Sequence, residues 1–332
     1  MKKSIILFVF FVGLLSCNQN KYPVGIFPEE ATNLSVINSP FDDVNSDVPT
    51  INHGFKLVFS SNRINSQPNH FNLVESNLVF YWDKSEGFLR VDRGNTLFDT
   101  WLRDWVRKTE TNFNEKGPYT FFDSEAGDIL LFSRDDAEGV YSILSEPREA
   151  NSQEIDGAEA SLRLMENGSS VMYPSFYGAD YLKGAGVESQ GRPEKMLFSS
   201  DRDGTFDIYE VDLPASGSVL EYLQSAEEKD IQKIGMNTTS NDHMPFVYGD
   251  LLVFSSDRPG GYGGYDLYYS FRSGGGWTEP ENFGPKINSE FDEYRPVVSN
   301  AMGFENQLMI FSSNRPGGLG GFDLYFVGIP KF

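Results

Sequence analysis

Two residue classes recur along this chain at positions where they could do chemistry. Acids at Asp42, Asp99, Asp156, Asp242 and Asp292 close a repeated Asn-Ser-x-Phe-Asp-like word, and Glu293 follows its last copy. Arginines at Arg63, Arg202, Arg258 and Arg315 close a repeated Phe-Ser-Ser-(Asp/Asn)-Arg word. Gathered on one face, such acids could supply the two carboxyl groups of glycosidic-bond hydrolysis, one keeping its proton and one charged. The same residues could equally form Arg–carboxylate forks that tie strand ends together. Their repetition favours the structural role. The non-repeated acids Glu159, Asp180 and Glu188 fall in an insertion between the repeats.

Other chemistries have less support. His53, His70 and His243 form no short-spaced pair, so a dedicated zinc site is not indicated. A single Cys, Cys17, rules out a disulfide framework, and no Gly-x-Ser-x-Gly elbow occurs. The Gly-rich loops Arg258–Asp266 and Arg315–Asp323 run into strands, whereas a phosphate cradle needs a helix N-terminus behind its glycines; they read as turns with positive φ. Asp201–Asp207 has carboxylates at alternate positions but lacks the remaining ligands of a calcium loop. The sequence calls for no cofactor and no metal. With 27 Lys+Arg against 48 Asp+Glu, the net charge of −21 disfavours nucleic acid as a partner. An aromatic content of 14% is foreign to disordered chains.

The elements that carry these residues repeat with them. Phe59, Phe132, Phe198, Phe254 and Phe311 each sit in an apolar run that reads as a strand. Before each comes the Asn-Ser word, at Ile37–Asp42, Asn95–Asp99, Asn151–Asp156, Asn237–Asp242 and Ile287–Asp292, and then a proline: Pro49, Pro118, Pro174, Pro245 or Pro296. Proline suits the first residue of a strand, where no ladder donor is needed. A third strand follows at Asp207-Ile-Tyr209, Asp266-Leu-Tyr268 and Asp323-Leu-Tyr325. With an outer strand, each repeat makes a four-stranded sheet, and five such sheets imply an all-β, five-bladed β-propeller of antiparallel blades. The last repeat lacks its outer strand. Asn33–Ile37 is expected to complete that blade and close the ring. Val219–Lys229 is the best candidate for a short helix. Thr100–Lys116 interrupts the second repeat and carries Trp101 and Trp105, which could stack on sugars, anchor an interface or fold down as a cap on their own blade.

Two resemblances add to this reading. Lys2 and Lys3, the apolar run Ile5–Leu15 and Leu14-Leu15-Ser16-Cys17 resemble the leader and lipobox of bacterial lipoproteins. That implies a signal peptide over 1–16, lipidation of Cys17, a polar tether over 17–32 and the propeller over 33–332. Phe-Ser-Ser-Asp-Arg followed by Asp-Leu-Tyr resembles the WD40-like, TolB-type propeller repeat of bacterial envelope proteins, and the Arg-Pro-Gly-Gly-x-Gly-Gly loops resemble those of Bacteroidetes in particular. The resemblance implies a lipid-anchored envelope protein at the outer membrane, facing the periplasm, that acts as a non-catalytic protein-binding module and is not an enzyme. The alternative is a propeller that binds or hydrolyses glycans through carboxylates at its channel mouth. A third option is a structural lipoprotein of a larger assembly. The expected contacts are an envelope protein, the membrane through the N-terminal lipid, and on the alternative a glycan.

Overall fold

The computed structural model describes residues 21–48, 55–64, 70–95, 100–148, 158–165, 168–183 and 191–331. The leader, Cys17, Pro49, His53, Asp99, Asp156 and Glu188 lie outside them. After β1 (Thr32–Asn33), the first blade comprises β2 (Asp43–Asp47), β3 (Phe55–Ser61), β4 (Asn72–Asp83) and β5 (Phe88–Arg93). Helix α1 (Thr100–Lys108) leads to the second blade: β6 (Glu115–Asp123), β7 (Gly127–Asp135), β8 (Tyr141–Arg148) and β9 (Ala160–Ser161). The third has β10 (Val171–Tyr177), β11 (Lys195–Ser200) and β12 (Asp207–Asp212), then helix α2 (Val219–Gln224) and β13 (Ile231–Lys233). The fourth has β14 (Asp242–Tyr248), β15 (Leu251–Ser256) and β16 (Asp266–Ser273), its outer place shared by β17 (Gly276–Trp277) and β18 (Glu281–Asn282). The last has β19 (Glu293–Ser299), β20 (Gln307–Ser313) and β21 (Asp323–Ile329).

All pairings within blades are antiparallel, and the first strands of neighbouring blades pack on one another around the whole ring. The chain is a five-bladed β-propeller, as its repeats predict. Closure also follows the expectation: β1 pairs with β21, Thr32 opposite Phe326 and Asn33 opposite Tyr325. The closing strand is shorter than expected, because the chain turns after Asn33, with the Ile37 N–H donating to Leu34 O at 2.9 Å. Part of the segment expected as a tether packs on the ring. The backbone is pinned from Tyr22 onward, and Phe27 is fully buried, stacked on Phe304 at 4.0 Å.

Each letter of the repeated word has a physical job. The five phenylalanines of the second strands are fully buried between sheets. The first serine after them reaches the next blade in several copies: Ser312 Oγ accepts the N–H of Asn45 at 2.9 Å, Ser133 that of Tyr173 at 3.3 Å and Ser199 that of Met244 at 3.0 Å. Those acceptors hold a backbone that would otherwise be strained. Asn45, Gly117, Tyr173, Met244 and Arg295 occupy equivalent places in the first strands, all with φ between 46° and 58°. A β-bulge falls at this point in every blade. The prolines therefore sit inside the first strands, at the bulge where the ladder is broken, and do not open them. In the first blade that place belongs to Ser46, not to the expected Pro49.

Helix α2 lies within the predicted segment. Helix α1 is an addition: Leu102, Trp105 and Val106 form its buried face against Val58, Leu73, Leu130 and Phe132 of the first two blades. Trp105 is fully buried, with its indole N–H donating to Glu146 O at 3.2 Å. Trp101 is covered by Lys56 and Arg148. These aromatics form a cap on their own blades and not a presented binding surface.

Candidate functional site

The first strands all begin on the same face, which also receives the Arg-bearing ends of the second strands. Four blades there carry the same clamp. Arg63 meets Asp43 at 2.5 Å, Arg134 meets Glu115 at 2.8 Å, Arg258 meets Asp242 at 2.5 Å and Arg315 meets Glu293 at 2.8 Å, and all four acids are fully buried. Each guanidinium also donates to a carbonyl of the preceding loop, at Ile37, Thr109, Met236 or Ile287. Burial pushes the Glu115 and Glu293 carboxyls up, against the opposing hydrogen bonds. The third blade has Val171 where the others have an acid, and Arg202 lies half-exposed near Asp203 at 3.8 Å.

Beside each clamp is a latch between blades. Asp42, Asn114, Ser170, Asn241 and Asp292 occupy equivalent places. Each side-chain oxygen accepts a backbone N–H from the preceding blade: Phe322 at 2.8 Å, Phe71 at 2.9 Å, Tyr141 at 3.3 Å, Phe206 at 3.0 Å and Tyr265 at 3.0 Å. Thus Asp42, Asp242, Asp292, Glu293, Arg63, Arg258 and Arg315 all come to the expected face, each already bonded within the protein. The words expected at Asn95–Asp99 and Asn151–Asp156 are out of register. The equivalent stretches are Thr111–Glu115 and 168–171, so the acid's place falls to Glu115 in the second blade and to Val171, which pairs with no arginine, in the third. Glu159 is tied to Arg134 at 2.5 Å.

The residues that donate to the latch were not singled out from the sequence. Phe71, Tyr141, Phe206, Tyr265 and Phe322 are aromatic in all five blades and half-buried, and they form a collar at the channel mouth. The signal was present: an aromatic residue stands immediately before, or at the first residue of, every third strand. Side chains of the first strands fill the gaps between these rings. Lys116 lies over Phe71 at 4.7 Å and Tyr141 at 5.7 Å. His243 packs on Phe206 at 4.0 Å and Tyr173 at 4.9 Å. Tyr294 stacks on Phe322 at 5.2 Å and meets Tyr265 edge-on at 5.1 Å. His243 is 5% exposed; burial and the nearby Arg295 hold its imidazole down at about 3, so it is neutral. Burial lowers Lys116 and raises the phenols of Tyr141 and Tyr294, with Tyr265 pushed up to about 12.

Deeper in the ring the first strands are bridged by charged and phenolic side chains. The insertion of the third repeat brings Lys183 against Asp47 at 3.0 Å and over the Tyr119 ring at 3.8 Å, while Tyr181 and Tyr119 share a hydroxyl contact at 3.3 Å. Lys183 and Asp47 are almost wholly buried. The glycine loops hold no cradle for an anion. Their N–H groups are spent on the protein's own carboxylates, Tyr262 and Gly263 on Asp266, Leu319 and Gly320 on Asp323. Only Gly260 and Gly317 in these loops have positive φ; the others admit close neighbours, as at Gly320, where a Cβ would stand 1.9 Å from Phe41 O. Asp201, Asp203 and Asp207 bond separately to Ser170, Tyr209 and Lys233. No group of three or more metal-binding side chains is present among the described residues.

The sequence matches no protein-family model and no curated protein. Solved structures do resemble the fold. A thermostable family-43 glycoside hydrolase aligns with a TM-score of 0.53 at 14% identity, over 91% of this chain and 93% of that one. An endo-arabinase from Bacteroides thetaiotaomicron aligns with a TM-score of 0.51 at 15% identity, over 92% and 100%. A TolB-like protein from Agrobacterium tumefaciens reaches a TM-score of 0.42, too low to carry an argument. These likenesses establish the architecture. They also overturn the expectation of a non-catalytic, non-enzymatic binding module, which rested on the TolB-type resemblance: the five-bladed ring is shared with glycoside hydrolases.

Proposed function

We propose that this chain is a glycoside-cleaving propeller that receives a glycan at its aromatic collar. The observation that carries the reading is the collar itself: five half-buried rings, one per blade, set round the buried Met172, Tyr173 and Met244. Aromatic faces suit the apolar faces of sugar rings, and Lys116, Tyr265 and Tyr294 add polar groups that fix orientation. Asp42 and Asp292 are the candidate reacting carboxylates. They lie on adjacent blades, either side of the stacked Tyr294–Phe322 pair, and among the described residues their Oδ2 atoms receive long bonds, 3.3 Å from Asn62 and 3.2 Å from Asn314. The latch needs an acceptor at these places but not a charge, since Asn and Ser serve in other blades.

The test is a panel of plant-type and bacterial glycans, scored for release of reducing ends by the wild type, Asp42→Asn and Asp292→Asn. Loss of turnover in either variant, with the fold intact, supports the assignment; equal turnover in all three removes these acids from it. The leader and Cys17 support placement as a lipid-anchored protein of a bacterial envelope, and the Arg-Pro-Gly-Gly loops support an envelope of the Bacteroidetes kind.

A further inference from the structure

The backbone is fixed at Tyr22, whose N–H donates to Lys84 O at 2.9 Å and whose carbonyl accepts the Trp82 indole N–H at 3.0 Å. Cys17 is five residues earlier, so it can stand no more than about 18 Å from that point. A lipid on Cys17 would therefore leave the propeller little freedom to move off a bilayer.

The surface beside this fixed point is apolar. Met302 is 94% exposed, Phe88 62% and Ile26 47%, with Val24 and Tyr22 also exposed. They are contiguous. The Tyr22 ring lies against Gly87, next to Phe88; Ile26 and Phe88 line one groove of about 590 Å³ with Trp82; and Gly25 pairs with Gly303, next to Met302. The β4–β5 and β19–β20 turns that carry this surface lie on the face opposite the collar, because β4 and β19 both run away from the collar face. Exposed Lys21 and Lys84 border it, together with exposed Glu29, Glu86 and Glu305.

We propose that this rim of the first and last blades is a membrane-docking surface, with Tyr22, Ile26, Phe88 and Met302 entering the lipid headgroup region. A lipid at Cys17 holds this end of the propeller at the bilayer, where an adjacent apolar rim gains by burying its side chains in the interface. Docked in this way, the propeller turns its collar away from the bilayer, towards soluble glycan. The inference goes beyond the proposed activity and rests on the lipid anchor at Cys17.

The test uses the full, lipidated chain on vesicles of phosphatidylethanolamine and brominated phosphatidylcholine. Phe88→Trp and Met302→Trp place a reporter in the rim. Leu319→Trp, on an exposed loop of the collar face, is the control, and the wild type supplies the background of the native tryptophans. We expect the added emission at 88 and 302 to be largely quenched by bromine and that at 319 to survive. Equal quenching at all three sites, or none at 88 and 302 in vesicle-bound protein, overturns the docking surface and leaves the anchor standing. Failure of the chain to attach to vesicles overturns the anchor and the docking surface together.

Discussion

Asp42 and Asn62 exchange two hydrogen bonds: the Asp42 N–H donates to Asn62 Oδ1 at 2.9 Å, and Asn62 Nδ2 donates to Asp42 Oδ2 at 3.3 Å. In the second blade the same pair is written in reverse, with Asn114 N–H and Nδ2 both donating to Asp135 at 2.7 Å. The fourth blade follows the second, with Asn241 and Asp257, and the fifth follows the first, with Asp292 and Asn314. One acid and one amide thus make the same joint in either order, so where the charge sits is free to be chosen for another purpose.

That freedom separates stability from activity. The double variant Asp42→Asn/Asn62→Asp reproduces the order of the second and fourth blades. We expect its unfolding free energy to stay within about 1 kcal/mol of wild type, as for a preserved hydrogen-bonded pair. Turnover of the glycan identified in the panel should fall with the removed charge. Denaturant unfolding and a kinetic assay on the same preparation check both; full activity in the swapped protein would show that position 42 needs no carboxylate.

Arginines that look alike in the repeat should differ in worth. Arg258→Ala strands the fully buried Asp242 without its cation, and breaking a buried pair from one side costs about 3–5 kcal/mol. Arg202→Ala removes a half-exposed side chain 3.8 Å from Asp203, worth about 0–1 kcal/mol. Urea midpoints of the two variants should be clearly resolved, and coincident midpoints would refute the clamp.

The buried imidazole predicts an acid-side loss of stability. His243 titrates at about 3 in the folded chain against an ordinary 6.5. Between those values the unfolded chain binds the extra proton, so this group's contribution is intact above 6.5 and is lost as pH falls towards 3, by up to about 1.4 kcal/mol per pH unit. Buried Glu115 and Glu293, with raised values, act in the opposite sense. The measurement is therefore a difference: stability of the wild type relative to His243→Phe, which keeps the ring contacts with Phe206 and Tyr173. That difference should move against the wild type on acidification, and a pH-independent difference would contradict the neutral, buried imidazole.

Glycine content should divide into essential and idle positions. A Cβ at Gly320 would meet Phe41 O, so Gly320→Ala must push the last blade from the first; overpacking of this kind costs about 1–3 kcal/mol. At Gly235 an added Cβ would meet nothing within 4 Å, and φ there is not positive, so Gly235→Ala should be neutral or slightly stabilising. Thermal unfolding of the two variants provides the comparison.

The blade count and ring closure were legible because a fully buried Phe followed by a buried serine recurs in every sheet, a place that leaves little room for substitution. Register was harder to read. Arg134 stands two residues before the place of Arg63, yet its long side chain reaches the same acid and carbonyl, so the clamp persists while the word degrades. Helix α1 displaced the second blade's word from 95–99 to 111–115, and its own short stripe of Leu102, Trp105 and Val106 was hidden among charges. The latch acids could be found by repetition, but their bonds to the preceding blade's backbone could not, because a backbone N–H carries no letter. The collar escaped notice because an aromatic residue beside a strand ordinarily reads as core.

The pairing of Thr32 with Phe326 has a consequence for how the protein comes into being. The first strand made waits for the last. A chain emerging from a ribosome or a translocation channel can assemble its early blades, but the final sheet keeps a bare edge until nearly the whole sequence has arrived. Contacts so distant in sequence form slowly. Throughout that interval the unfinished ring is open to proteases and to pairing with other chains, and whatever escorts it must hold that edge until the two termini meet.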